Sequence, residues 1–416
     1  MRIAFVAHGY PERETGGVEL VAREQAEAVA ARGHEVAVFA RTREPGRAEA
    51  STWDETVGGV PVRRVVYNEP YSGSFTASYD HHDLDAAFAE FLAATRPDVV
   101  HAQHLVLMSP NLLATARAEG IPSVVSLHDF YFLCHRLFLL DRDGRRCPGP
   151  GGGTRCVACL AGWAVGDEAP RRLRFMGEAL RAVDAIVAPS PSLARRFAAE
   201  WPFLEGGIRI IEPGLQRVPR RDPARRIGRG RPGDPLRLLF IGTWLPHKGL
   251  DLLVDAVLEA ESGRVELQMH GAGVEGHEAF VQELQQRSHG RGVEWRGAFE
   301  ADALERILAG ADVLVLPSRC DESYSRVVRE ARAAGLAVVA PETGGPGDLL
   351  RHEVDALLVP PDDGAALARA IARLADDPAL VSRLASAPAR TTTVEEAAAQ
   401  LESIYGELRS RRGGVR

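Results

Sequence analysis

The chain has 416 residues, 45% hydrophobic and 26% charged, enough for two substantial cores, and no run reaches the ~20 apolar residues of a membrane span. A formal net charge of −7 argues against a nucleic-acid partner, and five cysteines in this length do not make a secreted disulfide scaffold. The N-terminus runs directly into a strand-like segment at 2–7 with no signal-peptide pattern, so the expected location is the cytoplasm.

Short β-rich apolar runs alternate with longer helical patterns, which predicts βα units on parallel sheets. Strands are expected in the first half at 3–7, 35–40, 99–101, 123–127, 185–188 and 208–211, with helical stretches at 18–32, 84–95 and 191–200 among them. In such sheets ligands sit at the carboxyl ends of strands. After the first strand comes Gly16-Gly17, directly before a helix, where backbone amides can approach a ligand closely. After 123–127 comes His128-Asp129, either a site histidine or a satisfied buried one.

An insert at 130–165 follows. Cys134, Cys147, Cys156 and Cys159 fall within twenty-six residues, spaced C-x12-C-x8-C-x2-C among turn-rich glycine and proline. Four thiols with one C-x2-C pair fit a closed structural zinc site, while disulfides and free buried thiols are the other readings. Arg171-Arg172-Leu173-Arg174-Phe175 then starts a basic amphipathic pattern, read as a solvated helix face or a peripheral membrane contact. The segment 213–235, rich in arginine, proline and glycine, reads as a linker between a first domain at 1–212 and a second at 236–393, before a final helix and tail at 394–416.

The second half repeats the alternation, with strands expected at 236–241, 265–270, 293–295, 313–316, 337–340 and 356–359. Its first turn, from Gly242 to Gly249, holds Lys248, the single lysine beside forty-nine arginines. A compact ammonium binds phosphate as a point charge where a planar fork does not fit. His270-Gly271-Ala272-Gly273 makes another close-approach turn. After 313–316, Glu322 and Glu330 stand in an E-x7-E spacing, with Ser325 expected to cap the helix between them. Carboxylates accept hydrogen bonds from hydroxyls and helix amides hold phosphate, so the combination suits a nucleotide sugar.

In order and spacing, Gly16-Gly17-Val18-Glu19, Asp98-Val99-Val100-His101, His128-Asp129, the Gly242–Gly249 turn, the E-x7-E block and Gly344-Gly345 resemble the retaining glycosyltransferases of family 4, over nearly the whole chain. The resemblance implies the α/β GT-B fold, with two Rossmann-like doubly wound domains and a last helix that crosses back to the first. It implies retaining transfer from a nucleoside-diphosphate sugar, UDP- or GDP-linked, to an acceptor hydroxyl on a small molecule or glycan, without a catalytic divalent metal. By similarity His128, Glu322 and Lys248 carry the chemistry, and Gly16, Gly17, Thr243, Lys248, Gly271, Ser325 and Glu330 bind the donor. Glu330 is assigned to the ribose, Lys248 to the diphosphate and Glu322 to the sugar. Two positions depart from the pattern: Thr243 stands where the family often has a basic residue, and Asp348 where a glutamate commonly follows the glycine pair. A nucleotide-sugar epimerase or phosphorylase of the same architecture and a non-catalytic nucleotide-sugar binder are the competing readings. Acceptor choice is expected in the loop at 68–82 and in the cysteine insert.

Overall fold

The strands read as unbroken apolar runs because both of their faces are covered: Ile3, Ala4, Phe5, Val6 and Ala7 are each at most 1% exposed. The computed structural model describes residues 1–68, 74–219, 234–260 and 263–413. Parts of the expected acceptor loop (69–73), most of the expected linker (220–233) and the end of the tail (414–416) lie outside the described residues. The chain divides into two units, Met1–Gln216 with the segment from Thr392 onward, and Arg217–Thr391.

The first unit carries eight strands: β1 (Arg2–Ala7), β2 (Glu35–Thr42), β3 (Thr52–Val57), β4 (Val60–Val66), β5 (Val99–Ala102), β6 (Ser123–Ser126), β7 (Ala185–Ala188) and β8 (Ile208–Ile210). They form one sheet in the order β3-β4-β2-β1-β5-β6-β7-β8, parallel except for the β3–β4 hairpin. That hairpin, turning at Gly58-Gly59 with both φ positive, is absent from the sequence expectation. The helix Val394–Gly413 returns to this unit, where Ala397, Leu401, Ile404 and Tyr405 join Ile3, Phe5, Ala22 and Ala26 in one core. The Tyr405 hydroxyl meets Nδ1 of buried His101 at 2.6 Å, and the His101 Nε2 meets Ser126 Oγ at 2.8 Å.

The second unit carries β9 (Leu236–Ile241), β10 (Val265–His270), β11 (Val293–Gly297), β12 (Val313–Val315), β13 (Ala337–Pro341) and β14 (Leu357–Val359), all parallel, in the order β11-β10-β9-β12-β13-β14. Strand order reverses between β1 and β5 in the first sheet and between β9 and β12 in the second. Doubly wound folds bind ligands outside the carboxyl edges of their strands at such switch points. Among the described residues, no helix is long and apolar enough to cross a membrane.

Candidate functional site

In the second unit the switch point is built around Lys248. The turn Pro246–Lys248 follows β9, and Arg319, from the loop after β12, fastens it. Arg319 Nη1 donates to the Pro246 carbonyl at 2.9 Å, and its guanidinium pairs with Asp251 at 2.7 and 2.8 Å and with Asp362 at 2.6 Å. So held, Lys248 Nζ donates to Glu322 Oε1 at 2.7 Å, and Ser318 Oγ donates to the same oxygen at 2.5 Å. Burial works against both charges. Yet Glu322 lifts the Lys248 pKa above its usual value, and Lys248 and Ser318 hold Glu322 below its own. The pair is therefore ionic, and its ammonium is a point charge that an incoming anion can take over.

Glycines bring the surrounding backbone together. Gly344, at φ +71°, opens a helix packed against the Glu322 loop, and a Cβ there would stand 2.5 Å from the Glu322 carbonyl oxygen. A Cβ on Gly271 would stand 1.9 Å from the Gly242 carbonyl oxygen. Gly242 N–H donates to His270, Trp244 N–H to Ala272, and Gly271 N–H to Gly297, so the loops after β9, β10 and β11 form one wall. Thr243 is exposed on it. Trp244 Nε1 and His270 Nδ1 are buried there without partners, two polar atoms that the sequence reading did not single out.

Glu330 lies on the helix Arg326–Ala333, 7% exposed, and accepts from Arg326 Nε at 2.9 Å. Ser325 departs from expectation. It occupies the N-cap position, but its side chain caps nothing, its Oγ is buried without a partner, and its backbone is left-handed at φ 56°. A capping side chain needs the extended backbone that Ser325 lacks. Left-handed strain in a non-glycine residue concentrates at functional sites.

In the first unit the switch point gathers a different set. Arg64, fully buried, donates to the carbonyls of Tyr10 and Pro11 and pairs with Glu14, fixing the loop that leads to Gly16-Gly17. Gly16 precedes the helix Gly17–Ala31, and a Cβ on it would stand 2.4 Å from Glu19 Oε2, so glycine makes room for that carboxylate to fold back. Glu19 Oε1 meets His8 Nε2 at 3.0 Å. After β5, His104 Nδ1 accepts from the Val106 N–H at 3.2 Å, so its Nε2 carries the proton and meets Asp129 Oδ2 at 3.1 Å. His128 Nε2 meets Gln103 Oε1 at 2.8 Å. The His8 and His104 rings pack 4.6 Å apart.

Burial, then neighbouring His104, pushes His128 down to about 3, and the same two causes lower His8. For Glu19 and Asp129 burial raises the pKa, but the facing histidines and backbone amides more than offset it, so both end below the usual range. The cluster thus sets two carboxylates among three imidazoles, of which buried His8 and His128 are held neutral. The rule that led to His128, to read the carboxyl ends of strands, reaches His8, Gln103 and His104 equally well.

The cysteine insert falls between expectation and contradiction. All four thiols are free and line one cavity of about 290 Å³. Among the described residues no three of them lie within 4.8 Å of one another, so the closed tetrahedral arrangement is not set. The set that does reach that spacing, Asp80, His82 and Asp85, includes a histidine whose side chain is 88% exposed. Arg171 and Arg174 point to solvent, but Arg172 between them is 2% exposed, so the run is not one basic face.

Two family models cover most of the chain: Glycosyltransferase Family 4 matches residues 15–216, and Glycosyl transferases group 1 matches residues 235–377. The chain belongs to glycosyltransferase family 4. A D-inositol 3-phosphate glycosyltransferase of Streptomyces avermitilis is 28% identical over 403 residues, covering 91% of this chain and 79% of that one. Among solved structures, a sucrose-phosphate synthase from Thermosynechococcus elongatus superposes with a TM-score of 0.69 at 21% identity, over 100% and 98% of the two chains. Anabaena HepE in complex with UDP and glucose superposes with a TM-score of 0.65 at 19% identity, over 98% of each. The fold is GT-B, and the family 4 enzyme is a retaining glycosyltransferase that moves a sugar from a nucleotide donor.

Proposed function

We propose that the second unit binds a UDP- or GDP-linked sugar at the β9/β12 switch point and that the first unit presents an acceptor hydroxyl at the β1/β5 switch point. The observation that carries this reading is the Lys248–Glu322 ion pair at 2.7 Å, standing in a wall of closely packed glycine turns. On donor binding Lys248 exchanges Glu322 for the diphosphate, and the released carboxylate takes sugar hydroxyls. Glu330 receives the ribose, and Ser325, with its unpartnered Oγ, turns toward the phosphates together with the first amides of its helix. Gly271 and exposed Thr243 line the same wall. As the sugar–phosphate bond breaks, Lys248 and those amides stabilise the charge growing on the diphosphate.

Gly16 and Gly17 bring backbone amides to the edge of the first unit's cluster, and His128 orients the reacting sugar. The two carboxylates there favour an uncharged, hydroxyl-rich acceptor, small molecule or glycan, over a phosphorylated one. Five free thiols fit a reducing, cytoplasmic setting. Proton NMR of donor hydrolysis, with water standing in for the acceptor, tests the reading. The sugar is expected to appear first with the donor's anomeric configuration. Release with the opposite configuration, or epimerised donor without release, contradicts it.

A further inference from the structure

Arg172 is the anomaly of the first unit. It sits on the helix Glu168–Arg181, 2% exposed, and among the described residues no carboxylate pairs with it. Its Nη2 donates to the Tyr131 carbonyl at 2.7 Å, its guanidinium lies 5.7 and 5.2 Å from the Tyr79 and Tyr131 rings, and its Nε has no partner. A buried cation without an anion is costly, so a negative charge is missing from its surroundings. The groups that act on it electrostatically are two phenols and the thiols of Cys134 and Cys156.

Those thiols share their cavity with Cys147 and Cys159 and with the side chains of Arg136, Arg142, Arg146 and Arg155, besides Asp141 and Asp143. Backbone amides already point at the sulfurs: those of Arg136 and Leu139 at Cys134, and that of Arg142 at Cys159.

We propose that Cys134, Cys147, Cys156 and Cys159 hold one zinc ion as a tetrathiolate, and that Arg172 is the buried counter-charge of that centre. Four thiolates and one Zn²⁺ leave a net charge of −2, the anion that Arg172 lacks. Sulfurs around one zinc stand ~3.8 Å apart, closer than these free thiols, because only the shared ion draws them together. An all-sulfur donor set selects zinc over the hard cations. The centre also braces the acceptor-side cluster. Arg172 holds the Tyr131 carbonyl, the Tyr131 N–H donates to Asp129 Oδ1 at 2.7 Å, and Asp129 holds His104.

The test is metal analysis of the full chain, grown with zinc and purified under reductant, with zinc release by a mercurial. Wild type and Cys320→Ser are expected to carry about one zinc per chain, and the double variant Cys156→Ser/Cys159→Ser nearly none. Arg172→Met is expected to melt below wild type and to lose zinc to a chelator at about tenfold lower concentration. The chelator sensitivity is decisive, since loss of the hydrogen bond to the Tyr131 carbonyl alone lowers the melting temperature but leaves zinc affinity unchanged. Unchanged chelator sensitivity in Arg172→Met, iron in place of zinc, disulfides, or metal-free wild type each overturns the proposal. Should the double variant not fold, cobalt(II) exchanged into wild type decides: a tetrahedral thiolate spectrum supports the centre, and its absence overturns it.

Discussion

The two switch points of this chain solve opposite electrostatic problems. The second unit keeps a formal ion pair in its crevice, Lys248 with Glu322, and shields it with glycine turns tight enough that a single Cβ would collide. The first unit keeps His8 and His128 neutral by burial and holds two carboxylates against histidine rings. A charged, rigid crevice suits one constant ligand group, a diphosphate. One lined by carboxylates and imidazoles, which match hydroxyls, can be retuned from enzyme to enzyme, which is where acceptor choice belongs.

Replacing the point charge strikes the donor side hardest. Lys248→Arg keeps the charge but not the shape, and kcat is expected to fall about 10²–10³-fold with the fold intact by circular dichroism. Turnover near wild type would break the contrast at its strongest point.

Acid separates the two chemistries next. His101, fully buried between Tyr405 and Ser126, is pushed to about 3 by burial and then by His128. A folded-state pKa below the unfolded value means the unfolded chain gains the proton first. The stabilisation is complete above pH 6.5 and is lost as pH falls toward 3, at about 1.4 kcal/mol per pH unit for this residue. Protection of the amides on the returning helix Val394–Gly413, corrected for the intrinsic pH dependence of exchange, should therefore fall below pH 6.5, and pH-independent protection would contradict a neutral His101.

Gly344→Ala should destabilise the second unit by about 1–3 kcal/mol, through its positive φ and the clash with the Glu322 carbonyl, and weaken nucleotide binding with it. Denaturant melts with and without nucleotide check both effects. The smallest expected effect has the opposite sign. Ser325→Gly relieves a left-handed backbone and an unpartnered hydroxyl, raising stability by about 0.5–1 kcal/mol while reducing donor affinity. Unchanged affinity would remove Ser325 from the donor site.

Strand placement was legible in the sequence because parallel strands covered on both faces read as continuous apolar runs, and residues such as Val313–Val315 admit no other reading. The β3–β4 hairpin was missed although Gly58-Gly59 between alternating residues is its signal, because the reading followed apolar runs and β3 is half polar. The family resemblance put Lys248 and Glu322 in one donor site, though not as the ion pair they form. The inward turn of Arg172 was not legible, since local sequence surrounds it with basic residues and only tertiary packing buries it. Ser325 failed as a cap for a related reason: the backbone of a functional turn overrode local propensity.

Calorimetric titration of UDP- and GDP-sugars into wild type and Glu330→Ala tests the central claim most directly. One nucleotide series should bind wild type and lose at least about tenfold in affinity with Glu330→Ala, as removal of a charged hydrogen-bond partner requires. Equal binding by both proteins, or none by wild type, would contradict a donor site built on Lys248, Glu322 and Glu330.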